Sequence, residues 1–134
     1  MSELDALFDA ARAIQSRAYT PYSRFKVGAA VLTQDGQVFS GCNVENAAYP
    51  QGACAETGAI SAMIAGSGSR IAAILVIGDG ANLVTPCGGC RQRIREFAAP
   101  DTPVHIAGPE GIRRSFTLDE LLPYSFGPEN LREG

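Results

Sequence analysis

The chain has 134 residues, 46% hydrophobic and 19% charged, with 11 Lys+Arg against 14 Asp+Glu for a formal charge of −3. That length suits one domain with its own core, spanning residues 1–134, and the composition is that of a globular chain rather than a disordered one. The acidic balance argues against long nucleic acids as partners, because a surface that neutralises phosphates is usually basic. There is one histidine, His105, which removes every two-histidine metal site. The opening MSELDALFDAARAIQ is acidic where a secretory leader is basic, and no apolar run approaches the roughly 18 residues of a membrane span. The expectation is therefore a cytoplasmic protein with no membrane partner. In that reducing compartment, clustered cysteines bind metal or do chemistry more often than they form disulfides.

In chain order, Leu4, Leu7, Phe8, Ala11 and Ile14 recur at helical spacing, which predicts a helix over 3–16 with Ser2 as its N-cap. A turn around Pro21 follows. Residues 25–32 form a β-rich run, and Gln34-Asp35-Gly36-Gln37 reads as a hairpin turn into a second strand ending near Cys42. Residues 43–53 show neither period and read as a loop. A helix is expected from Cys54 to about Ala65, closed by Gly66-Ser67-Gly68. Residues 71–77 are continuously apolar, as suits a strand covered on both faces. After a loop over 78–85, Pro86-Cys87 opens a helix through about Phe97, with Pro86 placed where its missing N–H costs little. Two short strands follow at 103–107 and 112–117. Thr117-Leu118-Asp119-Glu120 matches a capping box for a final helical turn. The tail after it is apolar enough to dock. Helices between strands, with one heavily buried strand and an initial hairpin, point to an α/β layered domain with a mixed sheet.

Chemistry concentrates in Cys54-Ala55-Glu56 and Pro86-Cys87-Gly88-Gly89-Cys90. Cysteines three apart at a helix start direct both sulfurs at one ion, and a helix N-terminus favours the thiolate that zinc requires. Cys54 falls at a second helix start. Cys54, Cys87 and Cys90 together would leave a fourth position open, as catalytic zinc sites do, whereas structural sites close with four protein ligands. Glu56, two residues past Cys54, is close enough to move protons for a metal-bound water without ligating the metal. Two alternatives stay open at this point: a closed site with Cys42 as fourth ligand, and a redox pair of Cys87 and Cys90. Cys42 has no ligand-like spacing and reads more simply as a small buried apolar residue, and His105 as a structural histidine in a strand.

The pair CAE…PCGGCRQ resembles the zinc nucleoside and nucleobase deaminases. Three further stretches narrow the resemblance to the small homotetrameric cytidine deaminases: Tyr22-Ser23-x-Phe25-x-Val27-Gly28-Ala29-Ala30, then Gly41-Cys42-Asn43-Val44-Glu45-Asn46-Ala47-Ala48-Tyr49, and Leu121-Leu122-Pro123-x-Ser125-Phe126-Gly127-Pro128. The resemblance runs from about residue 19 to 131. It implies a three-layer α/β/α cytidine-deaminase-like fold with a mixed sheet of roughly five strands, and hydrolysis of cytidine and 2′-deoxycytidine in pyrimidine salvage. It implies one Zn²⁺ per chain on Cys54, Cys87 and Cys90, with Glu56 as the proton carrier. Asn43 and Glu45 would hold the ribose hydroxyls. Phe25 would pack on the pyrimidine, and the Ala55 backbone and Tyr49 would contact the base. Phe126 would reach a neighbouring subunit's base pocket, with the tail 121–134 at the interface of a homotetramer. Relatives of that type often carry arginine directly after the glutamate, where this chain has Thr57. Three thiolates on Zn²⁺ leave a formal charge of −1, which Arg91, Arg93 and the helix N-termini remain to offset. A deaminase of another cytosine-bearing compound and a silent zinc module are the rivals. The first lacks the Asn-x-Glu contact present here, and the second predicts that replacing Glu56 changes nothing.

Overall fold

A computed structural model describes residues 2–132. Helix α1 (Glu3–Gln15) starts where expected. The Ser2 side chain accepts from the Asp5 N–H while the Asp5 carboxylate accepts from the Ser2 N–H, a reciprocal cap contributing about 1 kcal/mol. Strands β1 (Val27–Thr33) and β2 (Val38–Cys42) form the anticipated antiparallel hairpin, turning at Gly36 with φ +88°. Helix α2 (Ala55–Ala65), strand β3 (Ile71–Gly78), helix α3 (Gly88–Phe97) and strands β4 (Pro103–Gly108) and β5 (Gly111–Thr117) follow. Two short helices, α4 (Leu118–Leu121) and α5 (Pro128–Arg132), end the described chain.

One five-stranded sheet runs β2-β1-β3-β4-β5. Among neighbouring strands only β3 and β4 are parallel, joined directly by the helical crossover α3; the other neighbours pair antiparallel. Alternation along the strands sorts the core into two faces. Ala30 and Leu32 of β1, with Ala73, Leu75 and Ile77 of β3, pack with Leu7 and Ala11 of α1. Ala29 and Val31, with Ile74 and Val76, pack on the other side with Ala59, Ile60 and Met63 of α2 and Ile94 of α3. The result is α1, sheet, then α2 and α3: three layers around a mixed sheet, as expected. β3 is covered on both faces, which explains its unbroken apolar run. Each large aliphatic side chain removed from water there contributes about 2 kcal/mol before entropy is counted.

Three local expectations change. Helix α3 begins at Gly88 with Cys87 as its N-cap, so Pro86 lies before the helix rather than in its first turn; its carbonyl accepts from Arg91 Nε at 2.7 Å. The loop over 43–53 contains a 3₁₀ turn, Tyr49–Gln51. The Thr117 capping box forms with Glu120 as expected, but its turn is not the last, since α5 follows.

Candidate active site

Two helix N-termini on the same face of the sheet build the site. Cys54 is the N-cap of α2 and Cys87 the N-cap of α3, both extended at ψ 156° and 167°, and Cys90 sits one turn into α3. The three sulfurs lie within 4.8 Å of one another, with Cys54 and Cys87 at 3.9 Å. A tetrahedral zinc with bonds of about 2.3 Å separates its sulfurs by about 3.8 Å, so the cluster fits that ion. The charges also call for a cation. Burial pushes the Cys90 thiol far up, and the negative charges of Glu56 and Cys54 push it further. Burial likewise raises Cys54, whereas Cys87, the most exposed of the three, is pulled down first by the Cys90 N–H. A divalent ion reverses this mutual repulsion and holds all three as thiolates. Cys42 is not in the cluster, which disposes of a closed four-cysteine site among the described residues.

Glu56 lies in the first turn of α2 and is only 4% exposed. Burial raises its pKa; its own backbone N–H and the Arg93 charge pull it partly back. A carboxyl moved toward neutrality in this way can both take and return a proton.

The loop holding Asn43 and Glu45 is stitched to the same place. Val44 exchanges two 2.9 Å backbone hydrogen bonds with Ala53, the residue before Cys54, and on its other side the segment pairs with Tyr19. The Asn43 amide spans the entry to β1, donating to the Phe25 carbonyl at 2.9 Å and accepting from the Val27 N–H at 2.8 Å. Glu45 accepts from the N–H groups of Tyr22 and Ser23 at 3.0 and 3.1 Å and from the Ser23 hydroxyl, which first of all lowers its pKa. It stays ionised, with its orientation set by the 22–23 turn.

A cleft of about 410 Å³ opens beside this loop, lined by Tyr22, Ser23, Glu45, Asn46, Tyr49 and Gly52. Tyr22 and Tyr49 meet edge to face, ring centroids 6.0 Å apart. Of the residues singled out in the sequence, Glu45 and Tyr49 line the cleft; the cysteines, Glu56, Asn43, Phe25, Ala55 and Phe126 do not. Phe25 and Tyr49 are exposed, Ala55 is buried at the α2 start, and Phe126 is 57% exposed on the tail. Ser23 had no assigned role in the sequence reading. Its signal was the Tyr22-Ser23 pair, but only the fold shows the hydroxyl turned onto Glu45.

Known proteins match this arrangement. A sequence model of the cytidine and deoxycytidylate deaminase zinc-binding region matches residues 1–106. The chain belongs to this deaminase family. The cytidine deaminase of Halalkalibacterium halodurans is 42% identical over 123 residues, covering 90% of this chain and 93% of that one. The cytidine deaminase of Sporosarcina psychrophila is 37% identical over 129 residues, covering 96% and 95%. Among solved structures, cytidine deaminase from Burkholderia pseudomallei superposes with a TM-score of 0.87 at 43% identity, over 94% of this chain and all of that one. The Mycobacterium tuberculosis cytidine deaminase superposes with a TM-score of 0.79 at 37% identity, over 95% and 99%. Family membership accounts for the zinc-binding cluster and for the layered deaminase fold together.

Proposed function

We propose that this chain is a zinc-dependent hydrolase that deaminates cytidine and 2′-deoxycytidine to uridine and 2′-deoxyuridine, releasing ammonia. The observation that carries the reading is the convergence of three sulfurs from two helix N-termini beside one buried carboxylate. Cys54, Cys87 and Cys90 hold the ion, one per chain. When bound there, zinc would supply the Lewis acidity that activates water near neutral pH. The net reaction adds water at C4 of the ring and expels the exocyclic amine. Glu56 carries the protons: it takes one from the water and places it on ring N3, then passes the second to the departing nitrogen. Its buried position keeps bulk water from competing for those protons. Glu45, ionised and aimed by Ser23, accepts from the sugar hydroxyls, and the outer lone pair and second N–H of Asn43 serve the same diol. Phe25, Tyr49 and the Ala55 backbone frame the base.

The same reading treats 1–134 as a single domain working in the cytoplasm in pyrimidine salvage, and as a homotetramer. Support for assembly comes from the tail. Its backbone is tied down by α3, yet Tyr124 and Phe126 stand exposed, and further exposed aromatics, Tyr22, Phe25 and Tyr49, surround the site region. In the tetramer, Phe126 closes a neighbouring subunit's base pocket.

The test is turnover by the zinc-loaded protein, followed by the ultraviolet change of cytidine and by ammonia release. One ammonia per cytidine is expected, and Glu56→Gln should lower kcat by about 10³-fold or more while retaining zinc. Undiminished turnover in that variant would remove Glu56 from the mechanism.

A further inference from the structure

Three thiolates around a divalent ion leave one negative charge in excess, and Glu56 places a second beside it. Surplus negative charge gathered around a metal is stabilised by a nearby cation. Two arginines lie close in sequence to Cys90, and the structure separates them. Each nitrogen of the Arg91 guanidinium is engaged elsewhere: Nε donates to the Pro86 carbonyl at 2.7 Å, Nη1 to the Leu121 carbonyl at 2.7 Å and Nη2 to Thr85 Oγ1 at 3.1 Å. It braces the loop before α3 against the tail.

Arg93 turns the other way. Helical side chains lean toward the N-terminus, so a residue three positions on covers the turn behind it. Arg93 Nη1 accordingly lies 3.7 Å from Cys90 Sγ, and its charge reaches Glu56. Among the described residues it makes no other hydrogen bond and no ion pair. Gly89 keeps its lane open: a Cβ there would stand 3.2 Å from Arg93 Nη1, inside ordinary contact distance. Thr57 Oγ1 approaches the same sulfur at 3.9 Å.

We infer that Arg93 is the counter-charge of the metal site, a positioning residue that donates an N–H···S hydrogen bond to Cys90 and offsets the surplus negative charge of the cluster. The inference rests on reading Cys54, Cys87 and Cys90 as the zinc ligands. Outer-sphere partners of metal ligands typically contribute ten- to a hundredfold to affinity, and an exposed guanidinium belongs at the low end.

The experiment measures zinc affinity at one pH by competition with a chelator of known affinity, in the wild-type holoprotein and in the Arg93→Gln, Arg93→Lys and Cys90→Ala variants. A Co²⁺-substituted sample of each adds the thiolate-to-metal charge-transfer band. Arg93→Gln should bind zinc about tenfold more weakly and shift that band to lower energy, since a thiolate relieved of a donor gives up electrons more readily. Arg93→Lys should keep most of the affinity. Because Thr57 faces the same sulfur, Thr57→Arg in the Arg93→Gln background should restore both readouts. Wild-type affinity and an unmoved band in Arg93→Gln would overturn the inference. Failure of the underlying reading looks different: the wild type itself would hold no stoichiometric zinc, and Cys90→Ala would change nothing.

Discussion

Two carboxylates of this chain sit in opposite environments, and their difference defines their tasks. Glu45 is half-buried and receives three hydrogen bonds from the 22–23 turn, which hold its pKa below the ordinary range. Glu56 is buried without such a set of donors, and burial raises it. One is suited to remain an acceptor for hydroxyls, the other to exchange protons. His105 illustrates a structural counterpart. Its Nδ1 lies 2.6 Å from Ser115 Oγ across β4 and β5, and burial lowers its pKa below 6.5. The unfolded chain therefore binds more protons at this position than the folded one once the pH drops below 6.5. Stability from the neutral ring is present above that value and is lost as pH falls toward the depressed folded pKa. Urea midpoints of wild type and His105→Gln, compared between about pH 7 and pH 5, should show a shallower acid-side decline in the variant; parallel declines would mean that His105 contributes nothing to acid sensitivity.

At the scale of elements, the site depends on how closely α2 approaches β2. Gly41 faces the helix backbone so tightly that a Cβ there would stand 2.3 Å from the Ala59 nitrogen, 2.6 Å from the Gly58 carbonyl carbon and 2.7 Å from the Ala55 oxygen. All three are main-chain atoms, so no side-chain rotation relieves the clash, and α2 itself must move. Gly41→Ala should cost about 2–3 kcal/mol of stability in urea unfolding. Because α2 carries Cys54 and Glu56 at its start, the same variant should also release zinc faster to a chelator. An unchanged urea midpoint would show that the two elements have more freedom than this contact allows. Gly28 has the same relation to α1, where a Cβ would sit 2.2 Å from the Ala11 oxygen. Both helices thus come closest to the sheet at a glycine, beside the aliphatic packing of Leu7 on α1 and of Ile60 and Met63 on α2.

For the molecule as a whole, the tail is the element on which the proposed assembly turns. Arg95, buried on α3, donates to Ser125 Oγ at 2.9 Å and pairs with Glu129, and Gln92 Nε2 donates to the Phe126 carbonyl at 2.8 Å. A Cβ on Gly127 would lie 2.6 Å from the Arg95 guanidinium, so the chain there is pressed against the charge. The Glu129 side chain is 48% exposed, so solvent screens the pair and it contributes less than a fully buried one. The anchoring fixes the backbone while leaving the Phe126 ring in solvent. In the proposed tetramer, Phe126→Ala should raise KM for cytidine severalfold with little change in kcat, and sedimentation should show weaker association. A variant with native KM and native assembly would take Phe126 out of the neighbouring pocket.

Much of this was legible in one dimension because local rules decide it. Periodicity found α1 and α2, the unbroken apolar run found β3, and the Ser2 N-cap and the Thr117 capping box marked their helix starts, since each depends on residues within a few positions of one another. The CAE and PCGGC spacings, with the resemblance they carry, named the cysteines that the fold draws within 4.8 Å. Other features depend on residues far apart in the chain. No local rule ties Arg91 to the Leu121 carbonyl or places the Ser23 hydroxyl on Glu45, whereas Arg93 meets Cys90 within one helical turn. Helix α5 and the buried Arg95 that holds it were equally hidden, because a five-residue helix has too little periodicity to announce itself. Residue types and spacings determined the layered fold and the metal-binding chemistry. Tertiary packing decided the long-range partners, Arg95 with Glu129 and Arg91 with the Leu121 carbonyl, because contacts about thirty residues apart are chosen by how the layers stack and not by any local preference of the chain.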